Sequence, residues 1–340
     1  MRKRCDENER LKRQYLEWLT DAEGFSEQSV DKAAAALARF EDSTGGKPFR
    51  AFHIDQAKAF KRTLAKTKTA NGRPLSKATI SATVRAVKAF FKWLSQRPGF
   101  RSRISLADCE YFNLAAKDEA IAHAHREVPF PSMEQALHAF RAMPDRTDIE
   151  KRNKAISAFL ILTGARVSAA ASLRLAHVDL VEGQVFQDAR EVKTKASKTI
   201  YTTLFPVADD VRACFDSWVR HLKEALLFGP ADPLFPRSKV SLGGAGKFAV
   251  ARLDRTHWAT AAPIRQIVGD SFEAAGLPRF GPHAFRKTLE QWGATRYVTP
   301  EAFKAFSQNL GHESVLTTFT SYGQVSRQRQ AEIIRSIPGQ

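Results

Sequence analysis

The chain has 340 residues, 43% of them hydrophobic and 26% charged, with 53 Lys and Arg against 36 Asp and Glu for a net charge of +17. That length is too great for one ordinary core, so two domains are expected, and the composition is that of a soluble globular protein. A surplus of positive charge this large points to a polyanionic partner, nucleic acid foremost. No apolar run approaches the roughly 18 residues needed to span a bilayer, and the charged N-terminus (Met1-Arg-Lys-Arg-Cys-Asp-Glu-Asn) has no apolar run behind it. A signal peptide and a membrane partner are therefore excluded, and a cytoplasmic, nucleoid-associated location is expected. The three cysteines, Cys5, Cys109 and Cys214, share no metal-ligand spacing. An odd number at wide separation reads as reduced thiols, with Cys214 a small core residue.

The first third reads as helical. Leu11, Tyr15, Trp18 and Leu19 fall at helical spacing within Glu9 to Thr20. Ser26 or Ser29 can cap a run from Val30 to Phe40, and Asp55 a third helix through about Lys68. Asn71-Gly72 before Pro74 is a turn signal, after which Ser76 opens a helix whose stripe is Ile80, Val84, Val87, Phe91 and Leu94. Between Ser43 and Arg103 there are 15 Lys or Arg and one acid, Asp55. Several lie opposite the apolar stripe, which predicts a bundle face of one sign made by Lys58, Lys61, Arg62, Arg73, Lys77, Arg85, Lys88 and Lys92. Such a face suits contact with a nucleic-acid backbone, which gives affinity and register but little sequence reading.

Residues 104–130 read as a connector, extended at Val128-Pro-Phe-Pro131, and His123 and His125 within it read as surface histidines. The expected domains are residues 1–125, with the connector at its end, and 126–340, with a C-terminal tail. Ser132 caps the first helix of the second domain. An apolar helix from Lys154 to Leu162 stops at Thr163-Gly164, and Arg166 begins another running through Leu173. Strand signals follow at 178–180, 185–186, 191–193 and 199–207, with Lys193-Thr-Lys-Ala-Ser-Lys198 as the hairpin tip between the last two. Helices are expected over 209–228 and 263–275, and the Gly-rich 242–246, with no strand before it, is a weak nucleotide-binding signal. The expected fold class is mainly α with a small antiparallel β-sheet.

The chemistry concentrates at the C-terminal end. His283-Ala-Phe-Arg286 places an imidazole and a guanidinium one helical turn apart behind Pro282, where the helix N-terminus adds partial positive charge. Leu310-Gly-His312 puts a second histidine on a turn, and Tyr322 follows ten residues later. Upstream, Thr163-Gly-Ala-Arg166 offers a second arginine, and Lys193, with Lys195 and Lys198 as rivals, a general acid. Two guanidinium groups match phosphate oxygens, a phenol can attack phosphorus, and the imidazoles can move protons or bind phosphate. This set can cleave a phosphodiester without metal or cofactor, neither of which is expected.

These segments together resemble the tyrosine recombinases, the phage-integrase family of site-specific DNA recombinases. The match covers roughly residues 150–325, with Thr163–Leu173, Val178-Asp-Leu180, the Lys193 hairpin, Pro282–Arg286, Leu310–His312 and Tyr322 in order. Leu75–Ile80 through Phe90–Leu94 resembles that family's SAM-like core-binding domain. The resemblance implies a helical core-binding domain joined to a mixed α+β catalytic domain. It implies that Arg166, Arg286 and His312 bind the scissile phosphate, that Lys193 is the general acid, that His283 is base or phosphate ligand, and that Tyr322 is the nucleophile. It further implies duplex DNA as partner, a 3′-phosphotyrosine, a Holliday junction, a homotetramer at synapsis from monomers or weak oligomers, and the option of accessory DNA-bending proteins. A mobile element is the expected setting. The alternatives are a type IB topoisomerase and an inactive DNA-binding accessory protein.

Two positions depart from the family pattern. Ala169 stands where the family often has a supporting Glu three residues after the first Arg, and the step from His312 to Tyr322 is ten residues where many members have nine. The tail from Gln324 to Gln340 carries Val325, Ile333, Ile334 and Ile337 on a possible helix, expected to pack on its own domain or on a neighbouring protomer.

Overall fold

A computed structural model describes residues 5–124, 129–194, 198–242 and 248–312. The chain divides into two compact units, Met1–Glu127 and Val128–Gln340. Each has its own hydrophobic cluster.

The first unit is built from helices α1 (Asp6–Asp21), α2 (Glu27–Ser43), α3 (Ile54–Lys66), α4 (Lys77–Ser95), the short α5 (Leu106–Cys109) and α6 (Ala116–His123). Helix α4 is the spine. The Ser76 hydroxyl accepts from the Thr79 amide at 3.1 Å, and Ile80, Val84, Val87, Phe91 and Leu94 are all buried, as the stripe predicts. Phe40, Phe49, Phe52, Phe90, Phe91 and Phe112 form a continuous aromatic centre in which, for example, Phe40 meets Phe91 edge-on at 5.1 Å. The cap of α3 is His53, whose Nδ1 accepts from the Asp55 amide, rather than Asp55 itself.

The second unit is organised around helix α8 (Asp148–Thr163), which Thr147 opens with a capping box. Its C-terminal half, Ala155 through Thr163, is buried on every side, so it reads as a continuous apolar run rather than a stripe. Helices α7 (Met133–Arg141), α10 (Asp209–Glu224), α11 (Ala262–Ala274) and α12 (Pro282–Ala294) pack on it. A further helix, α13 (Pro300–Asn309), packs on α12 with Phe303, Phe306, Leu289 and Phe205 in a second, smaller cluster.

Strands β1 (Val178–Asp179), β2 (Gln184–Gln187) and β3 (Ile200–Thr203) form an antiparallel sheet in that order. Strand β2 pairs directly with β3, Gln187 opposite Ile200, so residues 188–199 form the connection that carries Lys193. Residues 191–193 are not a strand. Asp188 turns the chain there, its carboxylate accepting from the Arg190 amide at 2.9 Å and its carbonyl from the Val192 amide at 2.7 Å. The helix after Arg166, α9 (Val167–Ala170), is one turn long and does not reach Leu173.

Strands precede and follow the Gly-rich segment: β4 (Arg237–Leu242) and β5 (Phe248–Asp254) pair as an antiparallel hairpin. That excludes a strand-to-helix phosphate loop there. The hairpin is anchored by Arg152 of α8, 2% exposed, which donates to the Pro236 carbonyl and the Ser238 hydroxyl and lies over the Trp258 ring. Among the described residues no helix is long and apolar enough to cross a membrane.

Candidate active site

Helix α8 ends on Gly164, in the left-handed region at φ 59°, with its amide donating to Leu160 O. The Thr163 hydroxyl accepts from the Ala165 amide at 3.1 Å, which closes the turn and sets Arg166 at the N-cap of α9. Arg166 is half-buried. Desolvation lowers its pKa, and the carboxylate of Glu290 opposes that shift.

Arg286 lies one turn into α12 and is 4% exposed. Its Nη1 donates to Gly164 O at 3.1 Å and its Nη2 to Leu310 O at 2.6 Å. One guanidinium therefore joins the ends of α8 and α13 to α12. Burial first, and then the neighbouring Arg166 charge, bring its pKa down to about 10. His312 follows Gly311, another left-handed glycine at φ 70°, and its amide donates to Ser307 O. The His312 side chain is 5% exposed, with Nε2 3.5 Å from Glu290 Oε1; Arg286 Nε lies 3.5 Å from the same oxygen.

His283 occupies the first turn of α12 and reaches the surface. Desolvation, followed by the charges of Arg286, Lys287 and Arg166, lowers its pKa, so the imidazole is neutral near neutral pH. Lys193 is exposed, and its backbone amide donates to the Ser172 hydroxyl at 2.8 Å. Just before it, Glu191 receives His177 Nε2 at 3.0 Å and Arg174 Nη1 at 3.1 Å, while His177 Nδ1 accepts from the Arg174 amide. These contacts tie the near half of the Lys193 connection to the segment after α9. Lys198 begins the far half; Lys195 and Tyr322 lie outside the described residues, as does the tail.

A small cleft brings Arg166 and Arg286 together with Ala169, Gln187, Thr194 and Thr202. Gln187 Nε2 donates to the Thr202 hydroxyl, which donates in turn to Asn309 O. Asn309 also pairs with the Thr203 backbone through both amide atoms, at 2.7 and 2.8 Å, which fixes α13 and the His312 turn to β3. The cleft is cationic and polar. A separate groove of about 560 Å³ walled by Phe140, Cys214 and Trp218 contains none of these groups. A half-buried and a buried guanidinium lining one cleft, with the buried His312 imidazole against the carboxylate that also faces Arg286, suit an anion with several oxygens, as a phosphodiester is.

Tyr297, the described tyrosine nearest in sequence to Tyr322, is a packing residue. Its ring stacks on Phe306 at 5.0 Å, and burial raises its pKa. Among the described residues no group of three or more His, Cys, Asp or Glu could hold a metal ion.

Sequence reasoning overlooked three contributors: Glu290, the Gln187–Thr202–Asn309 chain, and the Glu191–His177–Arg174 clamp. The signal for Glu290 was its spacing, four residues after Arg286 and so on the same helix face. The other two join residues distant in the chain, and no local pattern announces them.

In the first unit, Arg62, Arg73 and Arg85 are exposed. The face is not of one sign, because the connector folds back onto it. Glu110 accepts from Lys88 at 2.6 Å and pairs with Lys92 at 2.8 Å, and Asp118 pairs with Lys77 at 2.8 Å. Hydrogen bonds from Lys88, then Lys92, hold the Glu110 carboxyl at about 2. Lys58 pairs with Asp55 and lies over the Tyr111 ring, and Lys61 donates to Asn113 O. Among the described residues no carboxylate pairs with Arg62 or Arg73.

A cationic cleft of this kind, at the meeting of three helix ends beside a three-stranded sheet, defines a phosphodiester-handling protein. Residues 131–329 match the phage integrase family, and the chain belongs to that family of tyrosine recombinases. It is similar to the tyrosine recombinase XerC of Lactobacillus delbrueckii subsp. bulgaricus, 24% identical over 318 residues that cover 91% of this chain and 92% of that one. Its fold is similar to that of lambda integrase residues 75–356 bound as a dimer to a COC′ core site, with a TM-score of 0.64 at 11% identity, covering 94% of this chain and 96% of that one. It is also similar to the Tn1549 transposon integrase in complex with transposon right end DNA, with a TM-score of 0.61 at 18% identity over 96% and 99% of the two chains.

Proposed function

We propose that this chain is a site-specific recombinase of a mobile element that cleaves and rejoins duplex DNA through a 3′-phosphotyrosine on Tyr322. The observation that carries this reading is the pairing of Arg166 and Arg286 in one small cleft, with His312 held at the same Glu290 carboxylate oxygen that Arg286 approaches. The DNA complexes among structures of similar fold support DNA as the partner.

In this mechanism the scissile phosphate enters the cleft, and the two guanidinium groups and His312 hold its non-bridging oxygens. The Tyr322 oxygen attacks phosphorus, and neutral His283 accepts the phenolic proton. The 5′ oxygen leaves with a proton from Lys193. Charge that grows on the equatorial oxygens meets cations already in place, which is where most of the rate arises. The new ester conserves the energy of the broken bond, so a second 5′ hydroxyl can reverse the step. Two rounds of exchange between duplexes pass through a Holliday junction in a tetramer, which requires this chain to pair with copies of itself. The exposed Arg62, Arg73 and Arg85 and the neighbouring lysines of the first unit contact the duplex backbone.

The test begins with sites selected by the protein from a randomised duplex library, rebuilt as nicked suicide duplexes. Wild type should give a denaturant-resistant protein–DNA adduct. Tyr322→Phe should give none, and Tyr297→Phe should behave as wild type. Adduct surviving Tyr322→Phe but lost in Tyr297→Phe would overturn the nucleophile, and relaxation of plasmids lacking any selected site would indicate a topoisomerase.

A further inference from the structure

The structure assigns Glu290 a positioning role: we propose that its carboxylate orients Arg286 and His312 and does from α12 what a carboxylate at the position of Ala169 would do from α9. The inference rests on the function proposed above.

Glu290 is 5% exposed, yet it is an acid on a helix otherwise devoted to cations and apolar packing. A buried carboxylate is costly unless it is paired, and its surroundings supply the pairing. One oxygen, Oε1, is 3.5 Å from both Arg286 Nε and His312 Nε2. Spacing of four residues places it one turn along α12 from Arg286, on the same face. Its charge also supports the charged state of Arg166, so both arginines feel it.

The arrangement leaves the guanidinium available. Of its five N–H groups, one donates to Gly164 O and one to Leu310 O, while Nε lies within ion-pair distance of Glu290. Among the described residues the remaining two N–H groups, one on each terminal nitrogen, make no hydrogen bond and can take a phosphate. Without Glu290, Arg166 and Arg286 would repel each other across a partly desolvated cleft, and the buried imidazole would lose the group facing its Nε2. Ala169, 1% exposed, lines the same cleft, three residues after Arg166, and carries no polar atom on its side chain.

The decisive variant is Glu290→Gln, which keeps the shape and removes the charge. On the suicide duplex, adduct formation from the preassembled complex should slow by about 100-fold, the scale expected when catalytic groups shift by about an ångström. Affinity for the intact duplex should stay within about twofold, because the backbone contacts are unaltered. The relocated variant Ala169→Glu/Glu290→Ala should recover at least about tenfold over Glu290→Ala. Glu290→Gln cleaving at the wild-type rate would overturn the inference, as would a folded relocated variant that stays at the Glu290→Ala rate. A wild type that forms no adduct would sink the proposed function instead. In that event the Arg286 Nε–H resonance of the free protein decides: a shift in Glu290→Gln that the relocated variant reverses supports the role, and an unchanged resonance refutes it.

Discussion

His283 is the residue whose ionisation most directly links site and stability. Its folded pKa lies below the ordinary 6.5 because desolvation and the charges of Arg286, Lys287 and Arg166 disfavour the imidazolium. As pH falls, the unfolded chain therefore takes up this proton first. The stability associated with the neutral ring is present above about pH 6.5 and is lost as pH falls below it toward the folded value. Wild type should thus lose melting temperature more steeply between about pH 7 and about pH 5 than His283→Gln does. Parallel melting curves for the two across that range would mean that His283 does not feel the cluster. The same depression suits a base, since a neutral imidazole accepts a proton and an imidazolium cannot.

At the scale of elements, the site depends on how helices end. Helix α8 stops at Gly164 because a left-handed residue turns its carbonyl toward Arg286, and Gly311 makes an equivalent turn before His312. A Cβ at Gly164 would also sit 3.0 Å from Leu310 Cδ2 and 3.2 Å from Leu289 Cδ1. Gly164→Ala should therefore cost about 1–2 kcal/mol from the backbone conformation alone, read as a lower denaturant midpoint. It should also slow adduct formation, since a shifted turn displaces the main-chain carbonyl that anchors Arg286. An unshifted midpoint would show that the turn relaxes without cost. Much of this was legible in the chain. Thr163-Gly164 and Pro282 mark the helix ends, and every residue of the α4 stripe is buried, with Phe90 and Trp93 added to it. The strand expected at 191–193 failed because Asp188 supplies a local turn that competes with the ladder. The β4–β5 hairpin was missed because the Gly-rich stretch looked like a loop with nothing regular beside it.

For the whole molecule, two separate cores organise two charge problems. In the second unit, cations converge on a cleft around a buried acid. In the first, acids of the connector fold back onto a basic face. DNA binding should reflect that distribution. Arg62→Gln and Arg73→Gln should each reduce the slope of log K against log salt by about 0.9 for a lost phosphate contact. Lys92→Gln should reduce it less, because Lys92 is already paired with Glu110. Fluorescence anisotropy on a labelled duplex over a salt series measures this, and equal losses for all three would contradict the partition.

The sequence by itself carried the two-part helical plan and singled out Arg166, His283, Arg286 and His312 as candidates, because each depends on residue chemistry and on spacing along a few turns of chain; Tyr322 lies outside the described residues. Tertiary structure decided which charges meet. Glu290 reaches His312 only because α12 packs against α13, and Glu110 reaches Lys88 and Lys92 only because the connector returns to α4. Electrostatic energy depends on distance through space, and distance along the chain does not report it.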